Sequence, residues 1–205
     1  MKKIMFNDRY GLTRAVIEGR KTMTRRVMKN QPGYLEGYIN YTKPGSDLVY
    51  IRADLDSAFH EDCPYAIGEI VAVAQRYQEL DNEWCRNHVG VHPAESPYSS
   101  CENMAGWNNK MFVKHKLMPH QIRITSVRPE RLQDITDEDC IKEGIFEEPF
   151  PFGEGYCFDP IFPRCHKTNF NTPRQAFASL MDKISGRGTW ERNPFVWRIE
   201  FKLVK

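Results

Sequence analysis

A chain of 205 residues with 40% hydrophobic, 12% aromatic and 27% charged residues has a globular composition, and it is long enough to bury a core without disulfides or metals. Its formal net charge of +2 excludes a protein that coats nucleic acid by bulk electrostatics, although a small basic site on a near-neutral body remains open. No apolar run approaches the ~20 residues a bilayer needs, and the opening Met-Lys-Lys-Ile-Met-Phe-Asn-Asp has no signal-peptide core; a cytoplasmic chain with no membrane partner, six free thiols and one domain over 1–205 is expected.

Residues 2–6 read as a first strand. Leu12, Ala15 and Val16 then recur at helical spacing, so the pattern predicts a helix over about 9–18 with Asp8 as its N-cap and Gly19 as its stop. Gly19-Arg20-Lys21-Thr22-Met23-Thr24-Arg25-Arg26 is a basic turn running into a strand. Residues 30–48 contain Gln31-Pro32-Gly33 and Lys43-Pro44-Gly45 and read as a loop or small hairpin. Leu48–Arg52 and Gly68–Ala74 read as strands, the second buried. Residues 78–110, with Gly90, Pro93, Pro97, Gly106 and little periodicity, read as an insertion without a fold of its own.

Ile122–Val127 alternates apolar and polar residues and is a half-buried strand. Thr136 caps an acidic helix start at Asp137-Glu138-Asp139; Cys140 and Ile141, with the preceding Ile135, supply its apolar side and Gly144 stops it. Residues 146–172, carrying Pro149, Pro151, Pro160 and Pro163, read as loop. Thr172-Pro173 is an N-cap followed by Pro at N1, and Ala176, Phe177, Leu180, Met181 and Ile184 form an apolar stripe, giving an amphipathic helix over 173–185. Phe195–Leu203 is the closing strand. Helices do not alternate strictly with strands, which argues against a doubly wound parallel sheet. The expectation is an α+β fold: a small, mostly antiparallel β-barrel closed by 195–203, with flanking helices and loop-rich insertions at about 30–65, 78–110 and 146–172.

The common nucleotide and hydrolase signatures are missing. The strongest local charge feature is the run Arg20, Lys21, Arg25, Arg26 and Lys29, with the hydroxyls of Thr22 and Thr24 inside it, which suits a phosphate or polar-ligand clamp as well as a solvated loop. Cys85, His88, His92 and Cys101 lack the spacing of a zinc finger, and Cys165-His166 are adjacent, which chelates poorly; no metal and no cofactor is expected. Asp137, Glu138 and Asp139 are explained by the helix dipole, whereas Glu143 sits at the helix end where a carboxylate is disfavoured.

Gly19-Arg20-Lys21-Thr22-Met23-Thr24 resembles the Gly-x-Lys-Thr-x-Thr motif of ASCH domains, a branch of the PUA-like fold. Gly68-Glu69-Ile70-Val71, the segment Val127–Ile145 and the pair Thr189-Trp190-Glu191 and Asn193-Pro194-Phe195-Val196-Trp197 resemble other segments of the larger, phage- and prophage-associated members. The resemblance implies a PUA-like barrel with a cleft between barrel and helices. It implies RNA or a modified nucleoside as partner, since the family includes nucleic-acid-binding modules and a branch that hydrolyses N4-acetylcytidine with a Thr, a Lys and a Glu. By motif position these are Thr24, Lys21 and Glu143, with Arg20, Thr22, Arg25 and Arg26 as ligand-binding residues. Two readings stand: an amidohydrolase acting on an N4-acylcytidine, and a non-catalytic module for RNA or single-stranded nucleic acid.

The chemistry sets a condition. A threonine hydroxyl attacks an amide only when a base removes its proton. Lys21 can be that base only when neutral, so its pKa must fall from ~10.4 towards ~7–8. Burial and the neighbouring Arg20, Arg25 and Arg26 push that way, and an ionised Glu143 beside it opposes the shift.

Overall fold

The computed structural model describes residues 1–29, 31–35, 38–42, 49–52, 63–150, 153–158 and 170–204. Its main sheet has five strands: β1 (Lys3–Ile4), β2 (Met23–Val27), β6 (Ile70–Val73), β7 (Gln121–Arg131) and β10 (Phe195–Leu203). Their spatial order is β1-β6-β7-β10-β2. The β1–β6 pair is parallel and the other three are antiparallel, so the sheet is mixed.

The expected barrel is not formed. Among the described residues β1 and β2 are the two edges, and no ladder joins them. With only two residues, both paired to β6, β1 has too little backbone to close a ring. The edges are bridged instead by a side chain: Arg26 Nη2 donates to the Met5 carbonyl at 2.6 Å. Accordingly 195–203 is an interior strand of an open sheet, bonded to β7 on one side and β2 on the other.

Strand β7 is longer than its alternation suggests, and it carries a register shift opposite Glu200/Phe201. Glu200 faces Ser126 while Phe201 faces Ile124, so Thr125 is the extra residue of a bulge. The shift resets side-chain parity: Ile122 and Ile124 are two apart, Val127 is three further on, and all three are buried.

Helix α1 (Leu12–Ile17) starts later than expected. Gly11, at φ 63°, is the N-cap. Asp8 instead accepts a hydrogen bond from the Thr13 hydroxyl and an ion pair from Lys110 at 2.6 Å. The 78–110 segment opens with a helix the sequence pattern hid, α2 (Tyr77–Asn87), which buries Tyr77 and Leu80. These two join Ala72, Ala74, Cys101 and Val113 in a second apolar cluster, so the insertion packs onto β6. Gly106 permits the close approach: a Cβ there would lie 2.5 Å from the Tyr77 ring.

The two later helices follow their caps. In α3 (Asp137–Lys142) the Thr136 hydroxyl accepts from the Asp139 amide, and in α4 (Pro173–Ser185) the Thr172 hydroxyl accepts from the Gln175 amide. Phe177 and Leu180 are buried in the main core, but Ile184 is 37% exposed, one turn beyond where α4 leaves the core. A short α5 (Thr189–Arg192) leads into β10. Two smaller sheets are present: β3 (Gly33–Leu35) and β4 (Tyr38–Thr42), in the segment read as a loop or small hairpin, form a meander with β5 (Val49–Arg52), itself read as a strand, and β8 (Phe146–Phe150) pairs with β9 (Gly153–Cys157) in a segment read as loop. Of the 30–65 and 146–172 expectations, residues 30, 36–37, 43–48, 53–62, 151–152 and 159–169, with Cys165 and His166 among them, lie outside the described residues. None of the five described cysteines is in a disulfide, and no described helix is long and apolar enough to cross a membrane.

Candidate functional site

The basic turn is held by backbone bonds on both sides. The Gly19 amide bonds the Val16 carbonyl, the Lys21 amide bonds Ala15, and the Thr22 amide bonds Lys142 at the end of α3. The last of these brings Glu143 beside Lys21 across 122 residues of sequence. Gly144 completes the junction at φ 102°; a Cβ there would meet Leu12 at 3.4 Å and the Lys21 stem at 3.6 Å.

Lys21 is 2% exposed and Glu143 3%. Lys21 Nζ donates to Glu143 twice, to the backbone carbonyl at 2.6 Å and to Oε2 at 2.6 Å. Burial pushes the Lys21 pKa down, Glu143 opposes that shift, Arg26 and Arg25 reinforce it, and the net direction is downward. A neutral amine has two N–H groups and one lone pair. In that state both N–H groups would be engaged by Glu143 in this geometry, and the lone pair would be left for a proton from elsewhere.

Arg25 extends the cluster. It is 4% exposed, and its guanidinium donates to Glu130 Oε1 at 2.6 Å, Asp139 Oδ2 at 2.8 Å and Glu143 Oε1 at 3.3 Å. Burial works against its charge, but Glu143, Glu130 and Asp139 outweigh it and the pKa is raised. Its carboxylate partners respond in opposite senses. At Glu130 burial prevails over Arg25 and the pKa rises; at Asp139 burial is outweighed by Arg25, Lys142 and Arg198 and it falls. Lys142 lies 3.2 Å from Asp139, which explains part of the difference.

Thr24 faces elsewhere. It pairs with Ile199 in the ladder while Arg25 pairs with Arg198, so the two side chains leave opposite faces of β2. Thr24 lines a cleft of about 750 Å³ together with Phe6, Asn7, Arg26, Lys29 and Trp197. Among the described residues its hydroxyl has no hydrogen-bond partner. Arg26 Nε is likewise buried without one among the described residues. Phe6 and Leu12 connect cleft and ion cluster. Both line the cleft; the Phe6 centroid is 5.9 Å from Lys21 Nζ, and Leu12 and Lys21 converge on Gly144.

The structure therefore brings Lys21 and Glu143 into direct contact, and sets Thr24 on the neighbouring cleft wall, whose lining residues do not include Lys21 or Glu143. Of the expected ligand-binding residues, Arg25 and Arg26 both line the cleft, and the Arg25 guanidinium is also engaged by three carboxylates. Arg20 pairs with Glu18 at 2.6 Å and borders a separate depression beside Phe146. Thr22 is half-buried and its backbone ties α3 to β10. Asp139 and Glu130 were missed as parts of the cluster: the helix dipole already accounted for Asp139, and Glu130 lies beyond the strand expected over Ile122–Val127. No group of three or more His, Cys, Asp or Glu side chains is placed to hold a metal among the described residues. The His88 ring stacks on Trp84 at 4.3 Å, and His92 accepts from the Ala94 amide. Comparison with family models, curated proteins and solved structures finds no match to this chain.

Proposed function

We propose that the cleft binds a modified cytosine nucleoside and hydrolyses its N4-acyl amide. The observation that carries this reading is the buried Lys21–Glu143 pair, with the Lys21 pKa pushed down, behind a cleft onto which the partnerless Thr24 hydroxyl opens. The resemblance of the Gly19–Thr24 segment to ASCH domains points to the same residues. The lining also suits the ligand class: Phe6 and Trp197 offer apolar faces to a base, and Arg26 Nε is a donor for a ligand oxygen.

In this reading Thr24 Oγ attacks the acyl carbon as its proton passes to Lys21 Nζ. The tetrahedral intermediate collapses with cleavage of the C–N bond. The Lys21 ammonium protonates the departing N4, releasing cytidine and leaving an acyl ester on Thr24. Water, deprotonated by Lys21, then attacks the ester; the second tetrahedral intermediate collapses with cleavage of the bond to Thr24 Oγ, the Lys21 ammonium returns its proton to that oxygen, and the carboxylic acid departs. Glu143 orients the lysine through two hydrogen bonds throughout.

The test is incubation with N4-acetylcytidine and related acyl nucleosides, with cytidine release followed chromatographically. Wild-type protein should turn over. Thr24→Ala should abolish turnover while largely sparing binding, and Lys21→Arg should be inactive because a guanidinium stays protonated. Turnover that survives Thr24→Ala would discard the acyl-threonine and leave water activated by Lys21. Binding without turnover on any substrate would establish the non-catalytic alternative, which the absence of Lys21 and Glu143 from the cleft lining favours.

A further inference from the structure

A second concavity, of about 650 Å³, opens beside the first strand, with Lys2, Lys3, Lys114, His115 and Lys116 in its wall. No carboxylate is among its lining residues. In a chain of net charge +2 this is a local concentration of one sign. Lys3 is anchored, donating to the Met111 and Val113 carbonyls, and so fastens the 111–116 segment against β1. Lys2 is shared with Glu69 at 3.1 Å. Lys114 and Lys116 are exposed and have no ion-pair partner among the described residues. Cations held side by side without counter-charges repel one another, and an anion in the concavity relieves that cost.

The position of the concavity identifies the anion. The chain that supplies Lys2 and Lys3 passes through β1 and continues into Met5, Phe6 and Asn7, which line the nucleoside cleft. Lys3 and Met5 are two residues apart, so no more than about 7 Å of chain separates them. We propose that the concavity holds backbone phosphates of a single-stranded oligonucleotide whose modified base enters the cleft, so that the substrate is a nucleotide within RNA rather than a free nucleoside. This rests on the nucleoside reading of the cleft for the identity of the base, but the phosphate site stands on its own residues.

The experiment uses a short, fluorescently labelled single-stranded RNA, with and without one N4-acetylcytidine, and full-length protein in which both exposed lysines are changed, as Lys114→Glu/Lys116→Glu and, more gently, Lys114→Gln/Lys116→Gln. Anisotropy titrations over a range of salt should show binding about tenfold weaker in the variants, with the slope of log affinity against log salt reduced by about 1.4, the expectation for two lost contacts to a single strand. Turnover of free N4-acetylcytidine should be unchanged in the variants while kcat/KM on the RNA falls. RNA affinity and salt slope equal to wild type in both variants would overturn the proposal, as would binding to phosphatidylserine vesicles with none to RNA. If no substrate is turned over yet RNA binding still requires Lys114 and Lys116, hydrolysis fails and the phosphate site is upheld.

Discussion

Lys21 shows how a single charge is decided by its surroundings. In water it is an ammonium; beneath Phe6 and Leu12, at 2% exposure, the same group loses hydration that Glu143 only partly replaces. Removing one partner of a buried pair generally costs about 3–5 kcal/mol, whereas replacing both with apolar groups is often near neutral. Glu143→Gln should therefore lower stability by about that amount in denaturant titrations, and Lys21→Met/Glu143→Leu should recover much of it. An additive loss in the double variant would show that the two residues are not energetically coupled. Asp139 supplies a pH signature. Its folded pKa lies below the unfolded value because Arg25, Lys142 and Arg198 outweigh its burial. Its contribution is thus fully present above the unfolded pKa of about 3.9 and is lost as pH falls through the lower folded value. Thermal melts should show wild-type stability dropping below about pH 4, with a shallower drop in Asp139→Asn over the same window.

Among the elements, α4 owes its start to one side chain and its place to a stripe. The Thr172 hydroxyl satisfies the Gln175 amide at 3.2 Å, Pro173 occupies the first turn where its missing N–H is harmless, and Ala176, Phe177, Leu180 and Met181 enter the core. Thr172→Ala should cost about 1 kcal/mol in chemical denaturation, with Thr172→Asp close to wild type. These signals are local and were legible in sequence, as was the cap at Thr136. Helix α2 was not. Its buried Tyr77 and Leu80 are separated by Gln78 and Glu79, and their partners Cys101 and Val113 come from much later in the chain, so no short window contains the reason for the helix. The late start of α1 has the same character: Asp8 is a good cap by type, but Lys110 from the insertion engages its carboxylate.

At the level of the whole molecule, β10 is the strand on which the sheet depends. It pairs with β7 along its full length and with β2 along half of it, and it buries Phe195, Val196, Trp197, Ile199 and Phe201. A fragment ending at residue 194 loses the middle of the sheet, separates β2 from β7 and exposes two apolar faces; it should show no cooperative melt and should be recovered insoluble. A soluble 1–194 fragment with a sharp transition would mean that β2 holds its place without β10. The same strand explains the site. Because β2 docks on β10, Thr24 and Arg25 send their side chains to opposite faces, so Arg25, although it also lines the cleft, carries its guanidinium into the ion cluster. By itself the sequence determined the strands of the main sheet, the helices capped by Thr136 and Thr172 and the basic turn, because hydrophobic period, caps and turn residues act within a few positions. It also singled out Glu143, through its placement against the helix dipole and its resemblance to a motif. Only the tertiary structure decided that the sheet stays open, that residues 77–87 are helical, that Glu143 meets Lys21, and that Asp139 and Glu130 share Arg25. Those outcomes depend on which distant backbone edges find partners and which charges lose water together, and neither is a property of any short stretch of chain.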